Sequence, residues 1–378
     1  MMVPDEFDES RWILAPTNAK KGRGAVSNLS GRFEIQTSEW VDDGWWQGDE
    51  PQSVLKTQVT PEYAKTILSR NQSPDLPFSV SLNPYRGCEH GCIYCFARPS
   101  HAYLGLSPGL DFETRLFAKL NAAELLRSEL AADSYVPGAI ALGVNTDAYQ
   151  PCERKLRLTR GVLEVLKESR HPVGLISKSS LIERDIDLLS DMASQNLAMV
   201  AVTITTLDHE TARTLEPRAA SPARRLETIR RLAAAGIPVA VSVAPIIPFV
   251  TDQDIEKIIC AAFDAGATSA GYTILRLPWE VNPLFQEWLQ AHFPDRAERV
   301  MNRVRDMQGG KDYDASFGSR MHGEGLWADM ISQRFRKALL GVGIGKHNRF
   351  QQLDTSVFRK PLVIPAKKRG DEQMDFFG

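Results

Sequence analysis

Three cysteines, Cys88, Cys92 and Cys95, stand in the stretch RGCEHGCIYC at spacing C-x3-C-x2-C. Thiolates are soft ligands, and three on one loop are equipped to hold a metal centre. A structural zinc ion wants four protein ligands, so the loop would need His90 or His101 to complete a Cys3His set. An iron–sulfur cluster can be held by three thiolates, which leaves one iron open to a ligand from outside the protein. Gly87 and Gly91, each directly ahead of a cysteine, are expected to relieve Cβ crowding so that the backbone wraps a bulky inorganic core.

Six short apolar runs supply the frame that would position such a loop: FSVSLN (78–83), GAIALGVNT (138–146), PVGLISKS (172–179), AMVAVTITT (198–206), IPVAVSVAPII (237–247) and TSAGYTILRL (268–277). Each reads as a strand. Between the first two, Phe112, Leu116, Leu120, Ala123, Leu126 and Leu130 recur at steps of three or four, predicting one helix. Similar faces follow in Leu158, Val162 and Leu166, in Ile182, Ile186 and Leu189, in Leu226, Ile229 and Leu232, and in Ile255, Ile258 and Ala262. AAAG ahead of IPVAV predicts a helix closing on Gly236. Alternating strands and helices predict an α/β fold, a partial (β/α)6 TIM-like barrel of parallel strands. Ligands gather at the strand C-terminal ends in such folds. Asn83, Thr146, Asp147, Lys178, Thr203, Thr205 and Arg276 are therefore the candidate site residues.

The remaining chain divides around this core at 75–280. Residues 1–74, with WVDDGWW at 40–46, show no period and predict an irregular extension whose tryptophans pack on the core. Residues 281–350 predict a C-terminal helical segment or lid, with a glycine-rich FGSRMHGEG ahead of a helix over 326–340. Residues 351–378 predict a basic flexible tail. Of 378 residues, 43% are hydrophobic and 24% charged, which supports a sizeable core and excludes a mostly disordered chain. A net charge of −2 excludes whole-molecule attraction to phosphate, so nucleic-acid binding needs local basic patches such as RKLRLTR (154–160) and RKPLVIPAKKR (359–369). No apolar stretch reaches the ~20 residues of a membrane span, and the N-terminal residues lack a secretory pattern. A cytoplasmic protein is expected, where clustered thiols serve metals or redox chemistry more often than disulfides.

The triad spacing, its position after the first strand of a repeating βα chain, and Tyr94 directly ahead of the last cysteine resemble the radical S-adenosylmethionine superfamily over roughly residues 75–345. The resemblance implies that Cys88, Cys92 and Cys95 bind a 4Fe-4S cluster whose open iron chelates the amino and carboxylate groups of S-adenosylmethionine. Reductive cleavage would then give methionine and a 5′-deoxyadenosyl radical that takes hydrogen from substrate. It also implies an external electron donor of the flavodoxin or ferredoxin type. By the same resemblance Tyr94, Thr146, Asp147, Lys178 and Thr203 are cofactor contacts. Asp147 would face the ammonium group, Lys178 the carboxylate, and Thr203 the ribose or methionine part.

TDAYQPCE, LEPRAASPARRL and APIIPFVTD are similar to the branch containing spore photoproduct lyase, a thymine-dimer repair enzyme, which makes nucleic acid the expected substrate class. In that branch a cysteine ending strand two donates hydrogen to the product radical. Asn145 stands at that place here, a departure that sets the chain apart from the thymine-dimer reaction. Cys152 would donate only from a shifted position and reads more simply as a small, partly buried residue, and Cys260 as core. Glu216, Arg218, Arg224 and Arg225 follow strand four, as phosphate grips or as a solvated helix start. The reading from another functional class is a non-catalytic, zinc-stabilised nucleic-acid-binding protein.

Overall fold

The computed structural model describes residues 22–34, 55–345 and 352–362. All six expected strands form: β1 Val80–Leu82, β2 Ile140–Leu142, β3 Val173–Ser177, β4 Ala198–Thr203, β5 Val239–Ile246 and β6 Ser269–Ile274. They are parallel and lie in the sheet in sequence order, with Leu68–Arg70 added antiparallel outside β1. Sequential order with helical crossovers winds every unit the same way, and β1 and β6 do not pair, so the barrel stays open.

Alternation along the strands sorts the two faces of the sheet. Val173, Leu175, Val200, Val202, Val239, Val241 and Val243 share a buried core with Leu189, Ile229, Leu232, Ile258 and Ile259 of the crossover helices. Their neighbours Gly174, Ile176, Met199 and Ala201 are only half-buried, as befits a face turned away from the helices. Helix Pro222–Ala234 shows how local sequence sets the crossovers. Ser221 caps it by accepting from Arg224 N, Pro222 opens its first turn, and Gly236 follows in the left-handed region at φ 75, as AAAG predicts.

Three expectations are corrected. Phe112 to Leu130 is not one helix but helix Leu110–Thr114, a strand Arg115–Lys119 and helix Ala122–Ala131. Leu116 and Ala118 are buried in alternation with Arg115, Phe117 and Lys119, a period of two that the longer apolar repeat masks. That strand pairs with Gln58–Glu62 on one side and Tyr85–Arg86 on the other. The region expected to be irregular thus contributes two strands, Gln58–Glu62 and Leu68–Arg70, whose partners lie far along the chain. In the tail expected to be flexible, residues 352–362 dock on the core. Phe358 packs against Tyr135 and His171, and Arg359 N donates to Ser169 O at 2.8 Å. WVDDGWW and the lysines of AKKR lie outside the described residues.

The C-terminal segment is helical as expected, with Val281–His292, Ala297–Met307, Ser319–His322 and Gly325–Gly341. Among the described residues no helix is long and apolar enough to cross a membrane.

Candidate active site

The cysteine loop follows β1 and its short extension Tyr85–Arg86. Its backbone is closely tied: Cys88 N donates to Phe112 O at 2.9 Å, Ile93 N to Leu215 O at 3.1 Å, and Cys95 N to Cys92 O at 3.2 Å. All three cysteines are free, with Cys88 and Cys92 buried and Cys95 half-buried. Burial pushes the Cys88 thiol well above its ordinary value and the Cys92 thiol up to about 12. Such thiols stay protonated until a cation replaces the proton, so metal loading here releases protons.

The glycines serve a different purpose from the one expected. Gly87 and Gly91 have φ 74 and 67. A Cβ on Gly87 would lie 2.7 Å from Leu116 Cδ2, and one on Gly91 2.7 Å from Glu113 Oε2. They let the loop press against protein behind it.

Of the histidines that a zinc site needs, each has one ring nitrogen engaged, and the buried Nδ1 of His101 has no partner among the described residues. His90 Nδ1 faces Asp147 Oδ2 at 3.3 Å, and His101 Nε2 lies 2.9 Å from Arg115 O with its ring edge-on to Phe112. Among the described residues no three Cys, His, Asp or Glu side chains converge on a point fit for a single ion. A multi-iron core is larger than one ion and holds its thiolates further apart.

At the strand ends the predicted residues gather, in two roles. Asp147 is a strut: its carboxylate accepts from Tyr149 N (2.9 Å), Ser177 Oγ (2.8 Å) and Lys178 N (2.8 Å) besides facing His90. Burial opposes its charge, but His90 and these donors hold its pKa at about 2. Thr146 Oγ1 donates to Tyr85 O at 3.0 Å, and Asn83 Oδ1 accepts from Asn145 N at 2.9 Å and from Thr146 N. These residues bind the β1 and β2 ends to each other.

Thr203 and Lys178 differ from them. Thr203 Oγ1 is buried and has no hydrogen-bond partner among the described residues. The Lys178 ammonium lies 5.8 Å from the centre of the Tyr94 ring. Burial works against its charge, yet Cys92 and Glu216 outweigh it and raise its pKa.

Beneath Tyr94 is a hub that sequence reading divided among unrelated residues. The Tyr94 hydroxyl donates to Glu216, which also accepts from Thr205 Oγ1 at 2.7 Å and pairs with Arg225. Arg225 donates in turn to Thr203 O at 2.9 Å. Burial opposes the Glu216 charge, but Arg225 and Lys178 hold its pKa at about 2. The arginines weighed as phosphate grips are spent on carboxylates: Arg225 on Glu216, Arg224 on Glu183 at 2.6 Å, and Arg218 on Glu89 at 3.1 Å.

Arg276, just past β6, lies 5.2 Å from the centre of the Phe96 ring and donates to Tyr313 Oη at 3.3 Å, while its buried Nε has no partner among the described residues. Cys152 is half-buried, and burial lifts its thiol to about 12. Cys260 is exposed rather than core, because Ile258, Ile259 and Ala262 fill the buried stripe of its helix.

The donor set fits a cluster with a cofactor against it: three uncommitted thiols, an orphaned buried hydroxyl and a cation lie at one end of an open parallel sheet. Residues 82–260 match the model of the Radical SAM superfamily. The chain belongs to the radical SAM superfamily. An uncharacterized protein of Mycobacterium tuberculosis is 34% identical over 277 residues, covering 70% of this chain and 82% of that one. One from Methanocaldococcus jannaschii is 25% identical over 249 residues, covering 66% and 89%.

Among solved structures, spore photoproduct lyase complexed with dinucleoside spore photoproduct matches at TM-score 0.54 and 13% identity, over 76% of this chain and 80% of that one. A mutant of that lyase with bound AdoMet and the same dinucleoside matches at 0.53 and 13%, over the same shares. At this identity the likeness is one of fold, and it agrees with the open sheet of a radical SAM enzyme.

Sequence reading missed Arg98, Glu113 and the segment 23–25, which form the back of the cysteine loop. The contacts of 23–25 with Glu113 span 88 to 90 residues of chain, and those of Arg98, though only 6 to 15 residues apart, go mostly to backbone carbonyls.

Proposed function

We propose that Cys88, Cys92 and Cys95 hold a 4Fe-4S cluster and that S-adenosylmethionine binds beside it, with Lys178 meeting its carboxylate and Thr203 a hydroxyl or amino group. When bound, these groups supply one-electron cleavage of S-adenosylmethionine and removal of hydrogen from substrate. The protein's own part is placement. Lys178 brings a cation whose charge is favoured by Glu216, and Thr203 offers a hydroxyl already stripped of water. Thr146 and Asp147 act one step back by fixing the loop and the Lys178 backbone, and Tyr94 gives a ring held by its hydroxyl. A flavodoxin- or ferredoxin-type protein delivers the electron. The orphaned Thr203 hydroxyl at the thiol-bearing end of the sheet carries this reading.

For substrate we propose a nucleic acid. Exposed aromatic rings and arginines border the cysteine loop and the end of β6, a pairing suited to stacked bases and phosphates. Trp279 is 50% exposed with Arg32, itself paired with Glu280 at 2.7 Å, lying 4.2 Å over its ring, Phe33 and Tyr103 have ring centres 5.0 Å apart at a 33° tilt, and Phe96 directly follows Cys95. Trp279 also holds φ 47, an uncommon backbone state for a bulky residue that clusters at functional sites. The dinucleoside bound by the lyase of like fold points the same way. Asn145 in place of a cysteine separates the reaction from thymine-dimer reversal.

Anaerobically purified protein should be brown, contain iron and sulfide, and release 5′-deoxyadenosine from S-adenosylmethionine after dithionite reduction. Cys92→Ala should abolish colour and cleavage together. Turnover with deuterated oligonucleotides should place deuterium in 5′-deoxyadenosine. Colourless protein with stoichiometric zinc would overturn the enzymatic reading, and absence of transfer from any nucleic acid would overturn the substrate class alone.

A further inference from the structure

We propose that residues 23–25 are a strap that acts through Glu113 and Arg98 to hold the cysteine loop in its cluster-binding shape, so that Arg98 and Glu113 are positioning residues. This deepens the cluster reading above and rests on it.

Arg98 is wholly buried, and its fork is used in full. Nε donates to Cys92 O at 2.9 Å, Nη1 to Pro108 O at 3.0 Å and Gly109 O at 2.9 Å, and Nη2 to Gly91 O at 3.2 Å and Glu113 Oε1 at 2.5 Å. Glu113, equally buried, then takes the strap: its two oxygens accept from Ala25 N at 2.9 Å and Gly24 N at 3.1 Å. Arg23 closes the circuit, donating to Glu113 O at 3.0 Å and Leu55 O at 2.5 Å. Gly24 lies so close to the loop that a Cβ there would be 1.8 Å from Gly91 O. Ala25 is wholly buried in one apolar cluster with Cys92 and Ile93.

A buried ion pair is a poor way to gain stability, since desolvation offsets most of its attraction and apolar residues do as well. What apolar residues cannot do is aim carbonyls. Arg98 draws the Gly91 and Cys92 carbonyls to one side. In the planar trans Gly91–Cys92 peptide this turns the Cys92 N–H to the other side, and that N–H donates to no protein acceptor among the described residues. The loop therefore keeps carbonyl dipoles away from an electron-rich cluster and offers it an N–H, the kind of hydrogen bond that tunes cluster potential. Lysine has no planar fork and cannot reproduce this pattern.

The test compares Gly24→Ala, which drives a methyl group against Gly91 O while keeping both Arg98 and Glu113, and Arg98→Lys with wild type. Gly161→Ala, on a remote helix where the new Cβ meets only Ala123 at 3.5 Å, serves as control. Iron loss to a chelator should be about 10–100-fold faster in both strap variants, the range typical of outer-shell partners of a metal site. Their cluster midpoint potential should shift, with far-UV circular dichroism of Gly24→Ala unchanged. The control should match wild type in both.

Hydrogen exchange on wild type covers variants that fail to fold: the Gly24 and Ala25 amides should be as protected as Ile93 and gain protection with it on iron loading. Wild-type retention and potential in both variants, or free exchange at Gly24 and Ala25 beside a protected loop, would overturn the strap while leaving the cluster reading standing. Wild-type protein that takes up no iron would overturn that reading itself.

Discussion

The Arg98–Glu113 pair behind the cysteine loop and Thr203 and Lys178 in front of it are treated in opposite ways. At the back, Arg98 and Glu113 are buried with every donor and acceptor matched. In front, Thr203 Oγ1 is buried with no partner among the described residues, and the Lys178 ammonium has a ring face for company. A buried polar group left unpaired costs roughly 1–3 kcal/mol, a cost a fold tolerates where a ligand will complete the bond. The contrast separates what folding finishes from what binding finishes, which is the layout of a preorganised site.

The largest test of that contrast is at a second fully matched pair, Glu216 and Arg225 of the hub under Tyr94. Glu216→Gln should cost about 3–5 kcal/mol in denaturant unfolding at neutral pH, because it leaves Arg225 buried without its counter-charge. The wild-type pKa of about 2 lies below the ordinary 4.5, so the stability it gives is full above 4.5 and is lost as pH falls towards 2. The gap between wild type and Glu216→Gln should therefore narrow between pH 5 and 3, and an unchanged gap would mean the pair is not ionised.

On the unfinished side the sign should reverse. Thr203→Val replaces an orphaned hydroxyl with a methyl group of like shape and should raise the stability of iron-free protein by about 1 kcal/mol. It should also weaken S-adenosylmethionine binding to loaded protein about 5- to 10-fold, read by calorimetry. A loss of stability would show that the hydroxyl is already satisfied. Smallest of all, Cys260→Ala on the solvent face should stay within about 0.5 kcal/mol of wild type and keep its iron.

The same division explains what could be read in advance. The six strands, the triad and the gathering of Asn83, Thr146, Asp147, Lys178 and Thr203 at strand ends follow from local periodicity and from the rule that parallel strands carry ligands at their C-terminal ends. Arg23 and Glu113 leave no such trace because they meet 90 residues apart, and Arg98 leaves none because its near neighbours in sequence are met mostly through backbone carbonyls, which carry no side-chain signature. Strand Arg115–Lys119 was hidden for a related reason: Phe112, Leu116 and Leu120 satisfy a helical spacing, and only pairing with Gln58–Glu62 decides between periods. For Asp147, type and location were legible, but the number of donors it already serves was not.

The docked stretch 352–362 reaches the sheet at Ser169, His171 and Asn196, all of which precede parallel strands. It therefore covers the start of β3 and β4, at the end of the sheet opposite the thiols. Under the proposed function cofactor and substrate meet at the thiol-bearing end, so this stretch stands apart from both and supports the sheet without entering the chemistry.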